Sequence, residues 1–407
     1  VISLPVAGAK LKTSTPVVSG TGTSATGDVA KVTLEFWKGT DTSGAAFRTV
    51  SNIDVTAGAW SHTAAALTDG TWTVKATQVD DVGNSFTSTG RTFLIDTGFP
   101  TVSISSKPAT AIKETTASFT FSTADPDPDG AGVEVASGVA SVKCQLDALE
   151  YVDCTTTASY GTDEFPLAQG LHTFRVKVTD TSGNQTVEPY TFNVDTQVPA
   201  ATIESNRGAR TKQRTATFTV TATDPDPDLV AEPASDGPAT PSGVATVECK
   251  LDDDAFVACT AGAASTWTVT YGSDLAPLTE TAHTMTTRVT DTAGNVYTRT
   301  YDFTVDVTAP TVSTFALQAG SDSGRLNSDR LTNAASLVYD LTFSESVTGI
   351  DSPGSTDFQI KGTSTATGCV IGTPSASTYT FGGAAVTVSL TSCSEGTVTL
   401  QAKAGAF

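Results

Sequence analysis

Methionine occurs once in 407 residues (Met285) and histidine three times (His62, His172, His283), which leaves little for nucleophilic or transition-metal chemistry. Basic residues are scarce too: 23 Lys and Arg stand against 43 Asp and Glu, a formal net charge of −20. A chain so acidic is poorly suited to displacing counterions from phosphates, so no nucleic-acid partner is expected, and an anionic membrane surface would repel it. No run approaches the ~18 apolar residues of a membrane-crossing helix, so direct membrane insertion is not expected. A basic-then-apolar leader is missing and the first residue is Val1, which reads as a processed protein or part of a longer one. Nor does the sequence contain a Gly-x-Ser-x-Gly elbow, a phosphate loop or a His-Glu-x-x-His pair, and no enzymatic activity is expected. Apolar spacing of the helical kind is not evident.

What the chain does contain is repetition. Asp80-Asp81-Val82-Gly83-Asn84, Asp180-Thr181-Ser182-Gly183-Asn184 and Asp291-Thr292-Ala293-Gly294-Asn295 share one signature. Each precedes a final strand-like stretch and an acidic linker closed by proline: Ile95-Asp96 to Pro100, Val194-Asp195 to Pro199, and Val305-Asp306 to Pro310. Between these marks, segments such as Val32-Thr33-Leu34-Glu35-Phe36 and Ala117-Ser118-Phe119-Thr120-Phe121 alternate apolar and polar side chains, the period of a half-buried strand. Short strands punctuated by Gly, Asp-Gly and Pro, in units of ~100 residues, predict an all-β chain of tandem immunoglobulin-like β-sandwich domains arranged as an elongated rod. The expected units are 1–98, 99–197, 198–308 and 309–407. The fourth stops at a strand equivalent to the one before the turn, so its closing strand is expected from a continuing chain or from a neighbouring subunit. Continuation is the favoured reading, because Val1-Ile2-Ser3-Leu4-Pro5 also reads as a first strand after an absent linker.

Six cysteines form three local pairs, Cys144 with Cys154, Cys249 with Cys259, and Cys369 with Cys393. An even count with one spacing repeated reads as disulfides in an oxidising compartment. Three pairs of buried thiols are the plainer alternative, whereas zinc would want closer Cys pairs and His partners.

The Asp-x-x-Gly-Asn turn followed by a Val-Asp-Thr-x-x-Pro linker resembles the bacterial Ig-like repeats of large surface proteins and adhesins. Unit 1 fits through Thr15-Pro16-Val17-Val18-Ser19-Gly20-Thr21-Gly22 and Leu67-Thr68-Asp69-Gly70-Thr71-Trp72. Units 2 and 3 resemble a cysteine-bearing variant, with Cys144-Gln145-Leu146-Asp147 and Cys249-Lys250-Leu251-Asp252, and unit 4 a third, through Leu341-Thr342-Phe343-Ser344-Glu345. The resemblance covers nearly the whole chain and implies architecture more than role, since such repeats serve adhesins, surface layers, filaments and enzyme accessory regions alike. It also implies calcium at the junctions.

The residues reach the same ion independently. In an Ig-like sandwich the loops after the second and sixth strands lie where the chain enters. Those loops carry Asp125-Pro126-Asp127-Pro128-Asp129 with the Asp180–Asn184 turn, and Asp224-Pro225-Asp226-Pro227-Asp228 with the Asp291–Asn295 turn. Both should face the incoming linker, whose acids are Asp96 and Asp195. Converging carboxylates with an Asn carbonyl repel one another unless a hard cation takes them as oxygen ligands. Asp80, Asn84 and Asp306 complete the candidate metal set. Plain acidic turns are the alternative, and the EF-hand-like start at Asp125 fails, with Ala136 where the twelfth-position Glu belongs.

His172 and His283 recur at equivalent strand starts, which argues for packing or a structural hydrogen bond. Trp37, Trp60, Trp72 and Trp267 are expected in cores rather than on a sugar-stacking face. Asn184-Gln185-Thr186 is a glycosylation sequon that overlaps the candidate metal site. The expected function is structural and non-catalytic: a calcium-stiffened segment of a microbial surface filament, adhesin stalk or surface layer. Its partners would be neighbouring repeats or identical subunits. An adhesive module for a glycan or protein, and a spacer of a secreted enzyme, are the competing readings.

Overall fold

The computed structural model describes residues 1–126, 136–225, 241–323, 326, 329–350 and 357–403. Among these residues there is no α-helix; a single 3₁₀ turn at Ala319–Ser321 interrupts a chain of strands. The chain divides into two compact units, residues 1–210 with 214–304, and residues 211–213 with 305–407.

The first unit contains three successive sheet pairs. In the first pair, strands Ile2–Leu4, Val17–Thr21 and Ala59–Thr63 form one sheet. The other sheet runs through Ala9–Leu11, Arg91–Ile95, Gly70–Asp80, Asp28–Lys38 and Arg48–Asp54. In the second pair, Thr101–Ser106, Ala117–Ala124 and Thr157–Tyr160 face a five-stranded sheet centred on Gly170–Asp180 and Gln185–Val194. The third repeats this plan, with Ala200–Ser205, Ala216–Thr223 and Thr266–Tyr271 opposite a sheet centred on Ala282–Asp291 and Val296–Val305. A short strand pairs in parallel with the last strand, Ala9–Leu11 on Phe93–Ile95 and Ala111–Ile112 on Asn193–Val194, while neighbouring strands run antiparallel. Two facing antiparallel sheets joined this way are Ig-like sandwiches.

The period-two patterns place the cores. Phe119 and Phe121 point inward from one strand, Phe174, Val176 and Val178 from another, and all five are almost fully buried. The Phe119 and Phe174 rings stack at 3.9 Å between centroids. Trp72 is fully buried in the first core and donates its indole N–H to the Thr68 carbonyl at 2.8 Å, which satisfies its polar edge. At roughly 1.5–3 kcal/mol for each large apolar side chain buried, these rows are the main stabilising contribution of every sandwich. Cysteine pairing matches the expectation, with 144–154 and 249–259 each bridging a strand to the residue just after the short strand beside it and 369–393 in the second unit.

The second unit has strands Val312–Leu317, Ser336–Phe343, Val386–Thr391 and Val370–Ile371 in one sheet, with Phe358–Ile360 paired to Leu400–Ala402 separately. Its core is built on Leu341, Phe343, Val388 and Leu390.

Candidate metal centres

Each Asp-x-x-Gly-Asn segment folds as a tight turn that ends one long strand and begins the next. The Asp180 Oδ1 accepts the amides of Gly183 at 2.6 Å and Asn184 at 2.8 Å, and its Oδ2 accepts the Asn184 side-chain amide at 2.8 Å. Asp291 binds Gly294, Asn295 and the Asn295 side chain at 2.7, 2.8 and 2.8 Å. The turn needs glycine because Gly183 and Gly294 both sit at φ +94°, where a side chain is strained.

The incoming linker meets this turn. The Asp96 amide bonds the Leu11 carbonyl and the Asp195 amide the Ile112 carbonyl, each fixed by the parallel strand of its own repeat. Their carboxylates then reach into the next repeat: Asp96 Oδ2 accepts the Ser137 amide at 2.8 Å and Asp195 Oδ2 accepts the Ser242 amide at 2.7 Å. The following Gly138 and Gly243 amides go to Asp125 Oδ2 at 2.7 Å and Asp224 Oδ2 at 2.6 Å. The result is two triads of the same construction, Asp96–Asp125–Asp180 and Asp195–Asp224–Asp291, in each of which three carboxylate oxygens lie within 4.8 Å of one another. Four of these six acids are almost completely buried; Asp125 and Asp224 are intermediate.

Two features mark the triads as short of positive charge. Asp125 Oδ1 and Asp224 Oδ1 are buried without a hydrogen-bond partner. Burial pushes the Asp125 carboxyl above its ordinary range and the charges of Asp96 and Asp180 push it further, against the Gly138 amide; Asp224 is raised likewise by burial and by Asp195 and Asp291. An all-oxygen donor set with repelling anions and one orphaned oxygen fits a hard divalent cation of the calcium type.

The asparagines have another part than expected. The Asn184 side-chain N–H₂ donates to the Asp96 main-chain carbonyl at 2.9 Å as well as to Asp180, and that of Asn295 donates to the Asp195 carbonyl at 2.7 Å. They clamp the linker onto the turn as donors; the donating nitrogen, not the carbonyl, faces the triad's acids. The Asn184 of the sequon is therefore a buried side chain whose amide nitrogen is already engaged in two hydrogen bonds.

Asp127, Asp129, Asp226 and Asp228 lie outside the described residues. Asp80 and Asn84 form the same turn, but Asp80 joins no three-carboxylate cluster among the described residues; the turn borders a surface cavity of about 450 Å³ lined also by Thr21, Asp28, Gln78 and Phe86. Asp306 bonds the Thr211 carbonyl through its amide, as Asp96 and Asp195 do with their strands, and joins no carboxylate cluster among the described residues. Sequence reasoning passed over Ser137-Gly138 and Ser242-Gly243, although Ser-Gly-Val-Ala recurs at both places and signals a shared backbone role. It also missed Lys10 and Lys113, whose ammonium groups reach the Ser137 carbonyl at 2.5 Å and the Gly294 carbonyl at 3.4 Å in the following repeat.

The recurrent histidines are structural. The His172 ring lies between Asp147 Oδ2 at 2.7 Å and the Ala168 carbonyl at 2.9 Å, and the His283 ring between Asp252 Oδ2 at 2.8 Å and the Thr279 carbonyl at 3.0 Å. Asp147 and Asp252 both take positive φ, 53° and 49°, at the hairpin bend, and each also accepts the amide after its histidine.

Residues 10–97 and 229–307 match the family model described as bacterial Ig-like domain. Solved structures similar in fold include a tetra-tandem repeat in the extending region of a large adhesion protein, with 20% identity, 97% of each chain covered and a TM-score of 0.29. A structure from a study of host cell surface retention of a 1.5-MDa bacterial ice-binding adhesin shares 19% identity over 76% of this chain and 98% of the solved chain, with a TM-score of 0.28. The fibronectin(III)-like modules of Clostridium thermocellum CbhA share 19% identity over 48% of this chain and 93% of theirs, with a TM-score of 0.29. No curated protein matches the chain.

Proposed function

We propose that this chain, two segments of which match the bacterial Ig-like family, is a non-catalytic structural segment of a bacterial surface protein of the adhesin type. Calcium would bind at the 1–2 and 2–3 junctions and make successive repeats behave as one stiff body. The carrying observation is the pair of triads, each assembled from the linker acid of one repeat and two acids of the next, each with a buried oxygen that has no partner.

A cation there would draw charge from both sides of the junction and cancel the repulsion that adds to burial in raising Asp125 and Asp224. Binding to the folded form alone adds RT ln(1 + [L]/Kd), about 2.7 kcal/mol for a site held at a hundred times its Kd. Disulfides in three places suit an oxidising, extracellular setting, and the acidic surface suits exposure to it. Neighbouring repeats of a longer chain, or identical subunits, would be the partners.

The test is scattering and thermal melting with calcium and then with a chelator. Calcium should raise the melting temperature and narrow the range of interrepeat angles, and Asp125→Asn with Asp224→Asn should abolish both effects. Superimposable curves in the two conditions would overturn the reading.

A further inference from the structure

The two junctions share their acids but not all of their lysines. Leu11 and Ile112 hold equivalent places, since each pairs with the residue before its linker acid, Leu11 with Ile95 and Ile112 with Val194. The residue after each is a lysine, and both lysines reach the turn glycine of the following repeat. Lys12 brings its Cδ to 3.8 Å from the Cβ position at Gly183, and Lys113 Nζ donates to the Gly294 carbonyl at 3.4 Å. The residue before each differs, being Lys10 in the first repeat and Ala111 in the second.

Lys10 Nζ donates to the Ser137 carbonyl at 2.5 Å. Ser137 is only 4% exposed, and the same residue gives its amide to Asp96 Oδ2 at 2.8 Å and its hydroxyl to Asp125 Oδ2 at 3.2 Å. The peptide group that follows Ser137 is therefore bonded at both ends. Its oxygen takes the Lys10 ammonium, and its N–H, that of Gly138, goes to Asp125 Oδ2 at 2.7 Å. A cation on the oxygen and an anion on the N–H polarise one peptide in the same sense, so each bond strengthens the other. The ammonium does not stand in for the ion, because Asp125 Oδ1 still has no partner. At the second junction the Gly243 amide goes to Asp224 Oδ2 at 2.6 Å in the same way, but Ala111 has no group to offer the Ser242 carbonyl.

We propose that Lys10 is a positioning residue that fastens the second repeat to the first without any metal ion, so that the two junctions differ in what holds them. Without a cation the 1–2 junction keeps the Lys10 bond beside those of Asp96 and Asn184. The 2–3 junction keeps the counterparts of the latter two and the longer Lys113 bond. Its stiffness is then the more dependent on calcium, a consequence that rests on the junction reading above; the Lys10 latch itself does not.

Residue-resolved amide exchange of the whole chain in chelator tests the latch at Ser137 and Ser242, whose amides are each held by a linker acid. After correction for intrinsic rates, Ser137 should be the better protected of the two. Lys10→Met keeps an apolar stem and removes the ammonium. It should speed exchange at Ser137 by about three- to tenfold, the worth of one net hydrogen bond, and leave Ser242 unchanged. A general loosening of the first repeat would instead speed exchange in its own strand Gly70–Asp80, which loss of the latch leaves alone. Equal protection of the two serines in the wild type, an unchanged Ser137 rate in Lys10→Met, or a rise shared with Gly70–Asp80 overturns the proposal. Calcium added afterwards bears on the other reading only: if it slows neither serine, the junction sites fail while the chelator result for Lys10 stands.

Discussion

The turn at Asp80–Asn84 and the turn at Asp180–Asn184 have nearly the same bonds and very different surroundings. In both, the acid accepts its own asparagine's backbone and side-chain amides, at 2.7 and 2.7 Å in the first and 2.8 and 2.8 Å in the second. Asp80 is left among solvent, and the Asn84 amide holds its carboxyl below the usual range. Asp180 is 1% exposed and faces Asp96 and Asp125, and there it is Asp125 whose carboxyl is pushed up, by burial first and by its neighbours second. The motif is thus a self-sufficient Asx-type turn, and it becomes half of a candidate metal centre only where a linker acid and a second loop acid arrive.

Substitution at equivalent positions sharpens that contrast. Asp291→Ala in calcium-free buffer strands the half-buried Gly294 amide and the buried Asn295 amide and frees the clamp on the Asp195 carbonyl, a loss of about 2–4 kcal/mol on ordinary costs of unsatisfied donors. Asp80→Ala should shift melting far less, because its stranded donors find water. Melting curves of the two variants compare them directly, and equal shifts would remove the distinction between a bare turn and a junction. With calcium present the gap should widen, since only Asp291 would also lose an ion.

Removing a disulfide comes next in size. Cys249→Ala with Cys259→Ala opens a ten-residue bridge, for which loop-closure entropy gives ~2–3 kcal/mol. This loss should be the same with calcium and with chelator, because the bridge joins Cys249 to the residue after strand Val257–Ala258, whereas Asp291 ends the neighbouring strand of that sheet opposite Val244, at the other end from Cys249. A calcium-dependent difference would show that hairpin and junction are coupled.

These contrasts also show what the sequence could and could not reveal. Alternation in segments such as Ala117–Phe121 announced strands and their inward faces, because a strand's period is local. Cys144–Cys154 and Cys249–Cys259 were legible from one spacing used twice. Asp96 and Asp180 were placed together only through the general rule about loop ends, as convergence of residues so far apart in the chain depends on tertiary pairing. The direction of the Asn184 amide was not legible at all: whether it presents oxygen or nitrogen depends on the Asp96 carbonyl, a main-chain atom that every residue carries. Lys10 went unnoticed for a similar reason, since nothing in Ala-Lys-Leu separates a lysine that reaches the next repeat from a solvated one. Repetition helped where it existed, and Lys10 has no second copy, because Ala111 holds its place in the next repeat.

The smallest expected effect belongs to the His283–Asp252 clamp, and pH resolves it. Burial by itself would lower the His283 pKa, yet the bonds to Asp252 and the Thr279 carbonyl together with the Asp252 charge outweigh it, and the net shift is upward from 6.5. Asp252 shifts the other way: burial opposes, but the bonds from His283 and the Thr284 amide lower it from 3.8. A raised histidine contributes stability that is complete below its unfolded pKa and is lost as pH rises through the folded one. A depressed carboxylate contributes stability that is present above its unfolded pKa and is lost as pH falls through the folded one. The clamp is therefore at full strength between about pH 4 and pH 6, and weakens toward pH 8. Asp252→Asn removes the charge but keeps the shape, so its melting deficit should be largest near pH 5 and shrink by pH 8.5. The triads act in the opposite sense over part of this range, because raised carboxyls such as Asp224 favour the folded state in acid and penalise it once ionised. Melting must for that reason be compared between wild type and Asp252→Asn at each pH, where the triad contribution cancels, and a deficit that stays constant from pH 5 to pH 8.5 would show that the His283–Asp252 contact is held without charge.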